Sequence, residues 1–167
     1  RIGQKIGEEK FKSFLKKIGV QGKINFDIQE VGEPTPIKWG KCKLATVSYG
    51  HGITTTLLQI AKGYSIVTNG GYDINPTLIQ KKITQKHSQK RILNIGVSNK
   101  VNKILRKIVT NKEGTAELAN VKGYEVGGKT GTAQISKNGR YTRDKINTFA
   151  AVFPSKKPKY TLIVMLD

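Results

Sequence analysis

The last third of the chain constrains the fold more than any other part. Three segments, 124–135, 147–153 and 160–166, carry strand-forming residues between clusters of turn residues, and each reads as a strand. The connections 136–145 and 154–159 are short and polar, which suits sequential antiparallel hairpins rather than crossovers. Phe149, Ala151 and Phe153 alternate onto one face. Residues 162–166 are nearly all apolar, the pattern of a strand covered on both sides.

Helical periodicity precedes the strands. Phe11, Phe14, Leu15 and Ile18 fall on one helix face and Gly19 follows at a C-terminal cap, which predicts a helix over 8–18. Thr56 can cap a second helix in which Leu57, Ile60, Ala61, Tyr64 and Val67 share a face, Leu58 lies elsewhere, and Asn69-Gly70-Gly71 ends the run. Such broad apolarity predicts a buried helix. Ser98 is the expected cap of a third helix, with Val101, Ile104, Leu105, Ile108 and Val109 along one stripe. Between 20 and 52 glycine and proline recur, most densely at Gly32-Glu33-Pro34-Thr35-Pro36, so this stretch reads as a strand-poor connection long enough to be a functional loop. Helices packed on an antiparallel sheet define an α+β fold.

A chain of 167 residues suffices for one domain, and 37% hydrophobic with 25% charged residues is the composition of a folded soluble protein. No apolar run approaches the roughly 20 residues of a membrane-spanning helix. Cys42 is the only cysteine, which excludes an intramolecular disulfide; with no matching His or Asn constellation it reads as a small packing residue. His51 and His87 are far apart and lack helical partner spacing, so neither a metal nor a cofactor is expected, and His51 is expected to order its glycine-flanked turn. Thirty Lys and Arg against eleven Asp and Glu give a net charge of +19, which favours nucleic acid, anionic lipid or an anionic polymer as a partner. The basic residues are scattered, with no arginine-rich helix and no aromatic-studded basic strand, so nucleic acid is not the expected partner and a basic nucleic-acid-binding domain stays as an alternative.

The chemistry concentrates in Glu125-Val126-Gly127-Gly128-Lys129-Thr130-Gly131-Thr132-Ala133-Gln134, which places a cation, two hydroxyls and three glycines on one strand. Glycine weakens a strand, so its repetition beside Lys129 implies a backbone that a ligand must approach closely. Lys-Thr-Gly is one of three elements of serine acyl-transferases, the others being Ser-x-x-Lys and Ser-x-Asn. Taken alone, Lys129 reads more readily as a solvated strand-edge lysine that discourages aggregation.

The flanking residues add specificity. Ser48-Tyr49-Gly50-His51-Gly52-Ile53, Leu58-Gln59-Ile60-Ala61 and Asn69-Gly70-Gly71 resemble the Gly-rich turn, the Leu-Gln helix and the Asn-Gly-Gly end found in the transpeptidase domain of class B penicillin-binding proteins, especially the septal, cell-division type. Leu57 stands where that family usually has proline, a loss of preorganisation only. Gly114-Thr115-Ala116 and Val121-Lys122-Gly123-Tyr124 are similar to the approach to its Lys-Thr-Gly-Thr strand, and Phe149-Ala150-Ala151-Val152-Phe153-Pro154 and 160–167 resemble the two strands after it.

The resemblance implies a partial penicillin-binding protein/serine β-lactamase-like fold and a D,D-transpeptidase that cross-links peptidoglycan through a serine acyl-enzyme. It implies catalytic roles for Lys129 and Thr130 and substrate binding by Gly131 and Thr132: cation and hydroxyls toward a carboxylate, the Thr132 backbone N–H in an oxyanion hole, and Gly131 keeping the strand surface open. The implied partners are the D-Ala-D-Ala stem peptide and β-lactams, with divisome proteins and a membrane anchor upstream, at the periplasmic face of a bacterial inner membrane. Ser13-Phe14-Leu15-Lys16 matches Ser-x-x-Lys, but Ser13 falls mid-helix on the polar face, whereas the family's serine begins a buried helix. Ser136-Lys137-Asn138 follows the Lys-Thr-Gly strand instead of preceding it and reads as a turn with Asn138-Gly139. Residues 1–20 resemble the segment just after the true Ser-x-Asn. The chain, 1–167, is therefore expected to be the single, truncated C-terminal portion of the domain, inactive by itself, with the nucleophile upstream. A non-catalytic penicillin-binding-like module is the remaining alternative.

Overall fold

In a computed structural model the described residues are 1–40, 42–80, 90–137 and 140–167; His87 and the Asn138-Gly139 turn lie outside them. Helices α1 (Ile2–Ile6), α2 (Glu8–Lys17), α3 (Lys43–Val47), α4 (Leu57–Thr68) and α5 (Ile95–Thr110) come first, followed by a single 3₁₀ turn at Glu117–Ala119. Strands β1 (Gly127–Lys137), β2 (Arg140–Phe153) and β3 (Tyr160–Leu166) complete the chain. They form an antiparallel sheet in the order β1-β2-β3, with Thr130 opposite Phe149 and Phe149 opposite Val164.

Helix α2 ends as its sequence dictates. Gly19 adopts φ 75°, its N–H donates to the Lys16 carbonyl at 3.1 Å, and the Val20 N–H donates to the Leu15 carbonyl at 3.1 Å. This is a Schellman closure, and Val20 packs against the cluster that holds Leu15, Ile18, Val47 and Ile66. Helix α4 starts at a capping box: the Thr56 hydroxyl accepts from the Gln59 N–H at 3.2 Å, and the Gln59 side chain accepts from the Thr56 N–H at 2.9 Å.

The buried face of α4 differs from the expected one. Gln59, Gly63, Ile66 and Thr68 are the buried positions, and the Gln59 amide donates to the Gly22 carbonyl at 2.7 Å. Ile60, Tyr64 and Val67 instead line an apolar hollow of about 290 Å³ shared with Ile18, Val20, Val101 and Leu105, and Leu57 is exposed. Helix α5 begins before Ser98, because the Asn94 side chain takes the cap by accepting from the Gly96 N–H at 2.7 Å. Ser98 is buried and accepts from the Gly70 N–H at 3.0 Å, while the Asn102 amide donates to the Thr68 carbonyl at 2.9 Å. Two polar side chains thus satisfy backbone groups at the end of α4, and the buried face of α5 includes them while Ile104 stays exposed.

Three further expectations change. The polar stretch 136–145 is largely strand: β1 and β2 pair onward past a register shift between Gln134 and Ser136, where the Thr142 hydroxyl donates to the Ile135 carbonyl at 3.1 Å. Strand β3 is a sheet edge with Leu162, Val164, Met165 and Leu166 exposed, since no described element covers that surface. Only Thr161 and Ile163 of its interior positions are half-buried, the former with its hydroxyl 2.9 Å from that of Ser65 on α4. Cys42 is exposed at the N-cap of α3, a helix that buries only Val47.

Candidate functional site

Strand β1 is positioned by α5 and by its own glycines. The Arg106 guanidinium donates to the Val126 carbonyl at 2.7 Å, and Val126 packs with Val109, Ala116 and Ala151 beneath the start of the strand. A Cβ on Gly128 would lie 2.6 Å from the Phe149 ring and 2.8 Å from the Ala150 carbonyl, so only glycine lets that ring lie against the strand. Gly131 is equally constrained, because a Cβ there would stand 2.6 Å from the Thr148 hydroxyl of its cross-strand partner.

The register places the Thr130 and Thr132 side chains on the same face as Phe149, Asn147, Val164 and Leu166. They border an open groove of about 450 Å³ whose floor is the apolar group Phe149, Val164 and Leu166 and whose rim includes Thr115, Thr130, Thr132 and Asn147. Helix α4 does not cover this groove. The Lys129 ammonium is exposed and folds back along the strand, donating to the Thr130 carbonyl at 2.6 Å and to its hydroxyl at 3.3 Å. The Thr130 hydroxyl donates to that of Thr115 at 3.0 Å, and the Thr132 hydroxyl donates to the Asn147 side-chain oxygen at 3.0 Å. Oriented hydroxyls over an apolar floor, one of them bonded to the Lys129 ammonium, form a site suited to a carboxylate on an otherwise apolar ligand.

The sequence brings Lys129, Thr130, Gly131 and Thr132 together by adjacency; it misses Thr115 and Asn147. Asn147 sits opposite Thr132 only once the β1–β2 register is known. Thr115 follows α5 and reaches Thr130 through the fold. The glycine-rich turn lies beyond the groove: Gly50 and Gly52 have φ of 92° and 68°, the His51 N–H donates to the Thr46 carbonyl, and the His51 ring packs between Tyr49 at 5.3 Å and Tyr141 at 6.0 Å. His51 does order the turn, and Tyr141 ties that turn to the β1–β2 hairpin. Ser13 is exposed in the middle of α2, whose buried residue Leu15 belongs to the cluster remote from β1.

A family model described as the penicillin-binding protein transpeptidase domain matches residues 1–167. Stage V sporulation protein D of Bacillus subtilis is 32% identical over 182 residues, spanning 99% of this chain and 28% of that protein. The probable peptidoglycan D,D-transpeptidase PenA of Neisseria flavescens is 34% identical over 131 residues, 78% of this chain and 32% of its own length. The transpeptidase domain of penicillin-binding protein 3 from Burkholderia pseudomallei superposes with a TM-score of 0.92 at 24% identity, covering 99% of this chain and 51% of that one. The chain thus spans about a third or less of the curated relatives it matches, and about half of the solved domain. Its α+β architecture is that of the transpeptidase fold, and the chain belongs to the penicillin-binding protein transpeptidase domain family.

Proposed function

We propose that residues 1–167 form the C-terminal part of the transpeptidase domain of a serine-type peptidoglycan D,D-transpeptidase, and supply its Lys-Thr-Gly-Thr strand. In that reading a serine from outside these residues attacks the carbonyl of the penultimate D-alanine. The terminal D-alanine leaves as the free amine, and an amine of a second stem peptide then displaces the serine oxygen. The Thr130 and Thr132 hydroxyls hold the departing residue's carboxylate, Lys129 supplies the positive potential that favours it, and the Thr132 backbone N–H donates to the developing oxyanion. Loss of such a donor costs about 3 kcal/mol of barrier. β-Lactams place a carboxylate and a strained amide in the same positions, so they belong to the same ligand class. The intact protein is proposed to be anchored by a segment outside these residues, to act at the periplasmic face of the membrane, and to work with division proteins.

The observation that carries this reading is the Lys129 ammonium bonded to the hydroxyl of Thr130, which with Thr132 lines an open groove, at the motif of a chain that matches the family model throughout. In the intact protein, Lys129→Ala should slow acylation by a penicillin about 10²–10³-fold. An exposed lysine adds little to stability, so unfolding should shift by less than about 0.5 kcal/mol. Stopped-flow acylation and denaturant melts measure the two effects. Parallel losses in both would make Lys129 structural, and a protein that takes no penicillin at all would favour the non-catalytic module.

A further inference from the structure

We propose that Arg106 is a positioning residue for the Lys129–Thr132 segment: reaching from α5, it fixes where β1 stands and so where the cation and hydroxyls are held. The inference rests on the reading of β1 as the substrate strand. Among the described residues β1 is a sheet edge, so the ladder to β2 holds it on one side only. The second hold comes at its entry. A guanidinium nitrogen of Arg106 donates to the Val126 carbonyl at 2.7 Å, three residues before Lys129. Val126 is buried, and a carbonyl there that loses its donor must shift to find another.

The base from which Arg106 reaches is itself fixed. Leu105 and Val109 of α5 are buried, the Asn102 amide donates to the Thr68 carbonyl at 2.9 Å, and the Ser98 hydroxyl accepts from the Gly70 N–H at 3.0 Å. The strand also meets the helix backbone directly: a Cβ on Gly127 would stand 3.1 Å from the Arg106 backbone nitrogen and 3.1 Å from the Ser155 Cβ, so β1 enters between α5 and the turn after β2 with room for a glycine. From that turn the Ser155 N–H donates to the Glu125 carbonyl at 2.8 Å, and the Lys156 ammonium donates to the Glu125 carboxylate at 2.9 Å. Glu125 holds φ 50°, a conformation few non-glycine residues adopt. The carbonyls of residues 125 and 126 are thus taken by two different elements, and the Arg106 bond is the one that a side-chain substitution removes. Acyl transfer is steeply sensitive to placement, since an error of about 1 Å can cost on the order of 10²-fold in rate.

The test uses the intact protein with Arg106→Met, which keeps an unbranched side chain and removes the donor, and Arg106→Lys, which keeps one N–H donor. Hydrogen exchange followed by mass spectrometry reads the strand: amides over 124–133 should exchange about tenfold faster in Arg106→Met, the worth of one hydrogen bond to a charged group, while those of α4 keep the parent rate. Stopped-flow acylation at saturating penicillin reads the chemistry: the rate constant should fall about 10–10²-fold in Arg106→Met and lie nearer the parent in Arg106→Lys. A loss of folded protein alone would lower the labelled fraction and leave the rate constant of the labelled molecules unchanged, and that result overturns the proposal. Unchanged exchange over 124–133 overturns it as well, and so does an Arg106→Lys protein no better than Arg106→Met, which would trace the effect to packing instead of the donor. Penicillin labelling of the parent reports separately: a parent that takes no label removes the transferase reading, while faster exchange confined to 124–133 would still uphold Arg106 as the tether of β1.

Discussion

Lys129, Thr130, Gly131 and Thr132 are legible as a candidate site because they are neighbours on one strand and need no knowledge of the fold to be grouped. Thr115 and Asn147 are not, for a shared reason. Each lies fifteen residues from the threonine it bonds, one before the strand and one after it, so only the register and the path of the chain bring them in. The glycines lie between these cases. Their repetition signals close approach, but the structure assigns that approach to Phe149 and Thr148 of the neighbouring strand. Gly128→Ala should therefore destabilise the protein by about 1–3 kcal/mol, because the added methyl meets the Ala150 backbone carbonyl at 2.8 Å as well as the Phe149 ring. Urea melts of the two proteins measure this, and an unchanged midpoint would show that the ring can move aside.

At the level of elements, the Thr56 cap and most of the apolar faces of α2 and α5 were readable, while the cap of α5 and the face of α4 were not. Thr56 caps α4 as expected, and the box is completed by Gln59; Thr56→Ala should cost about 1 kcal/mol in the same melts. An unaltered stability would mean that solvent satisfies the freed N–H equally well. Ser98 was displaced as a cap by Asn94, since either residue can accept from a free helix N–H and the chain turns at the earlier one. Faces were misjudged where a buried polar residue satisfies the backbone of another segment, as Ser98, Asn102 and Gln59 do. The displaced apolar face of α4 has a consequence for Tyr64, whose phenol burial holds above its ordinary pKa of 10.0. A raised folded-state pKa means that the contribution is complete below pH 10.0 and is lost as pH climbs through the folded value. Absorbance titration should show a phase from Tyr64 above pH 10.0, with the melting temperature falling in the same alkaline window. Tyr64→Phe should remove the late phase; its persistence would assign that phase to another tyrosine.

Over the whole molecule, the antiparallel sheet and the α+β class were readable from short polar connections and strand composition, and β3 was placed at 160–166, where the structure has it. What composition could not supply is coverage. The apolar run of β3 suggests two-sided burial, whereas in the described residues it is an exposed edge, and the hollow beside α4 and α5 is likewise open. The net charge of +19 marks no single patch in the sequence; the proposed site involves one lysine held along β1. The central claim is that this strand serves a serine outside residues 1–167, and it is tested most directly by treating the intact protein with penicillin and mapping the adduct by intact-mass and peptide mass spectrometry. One penicilloyl group should appear, on a serine outside the 167 residues, and Lys129→Ala should slow its formation about 10²–10³-fold. An adduct on Ser13 or on any other serine within these residues, or a protein that takes no adduct, would contradict the account.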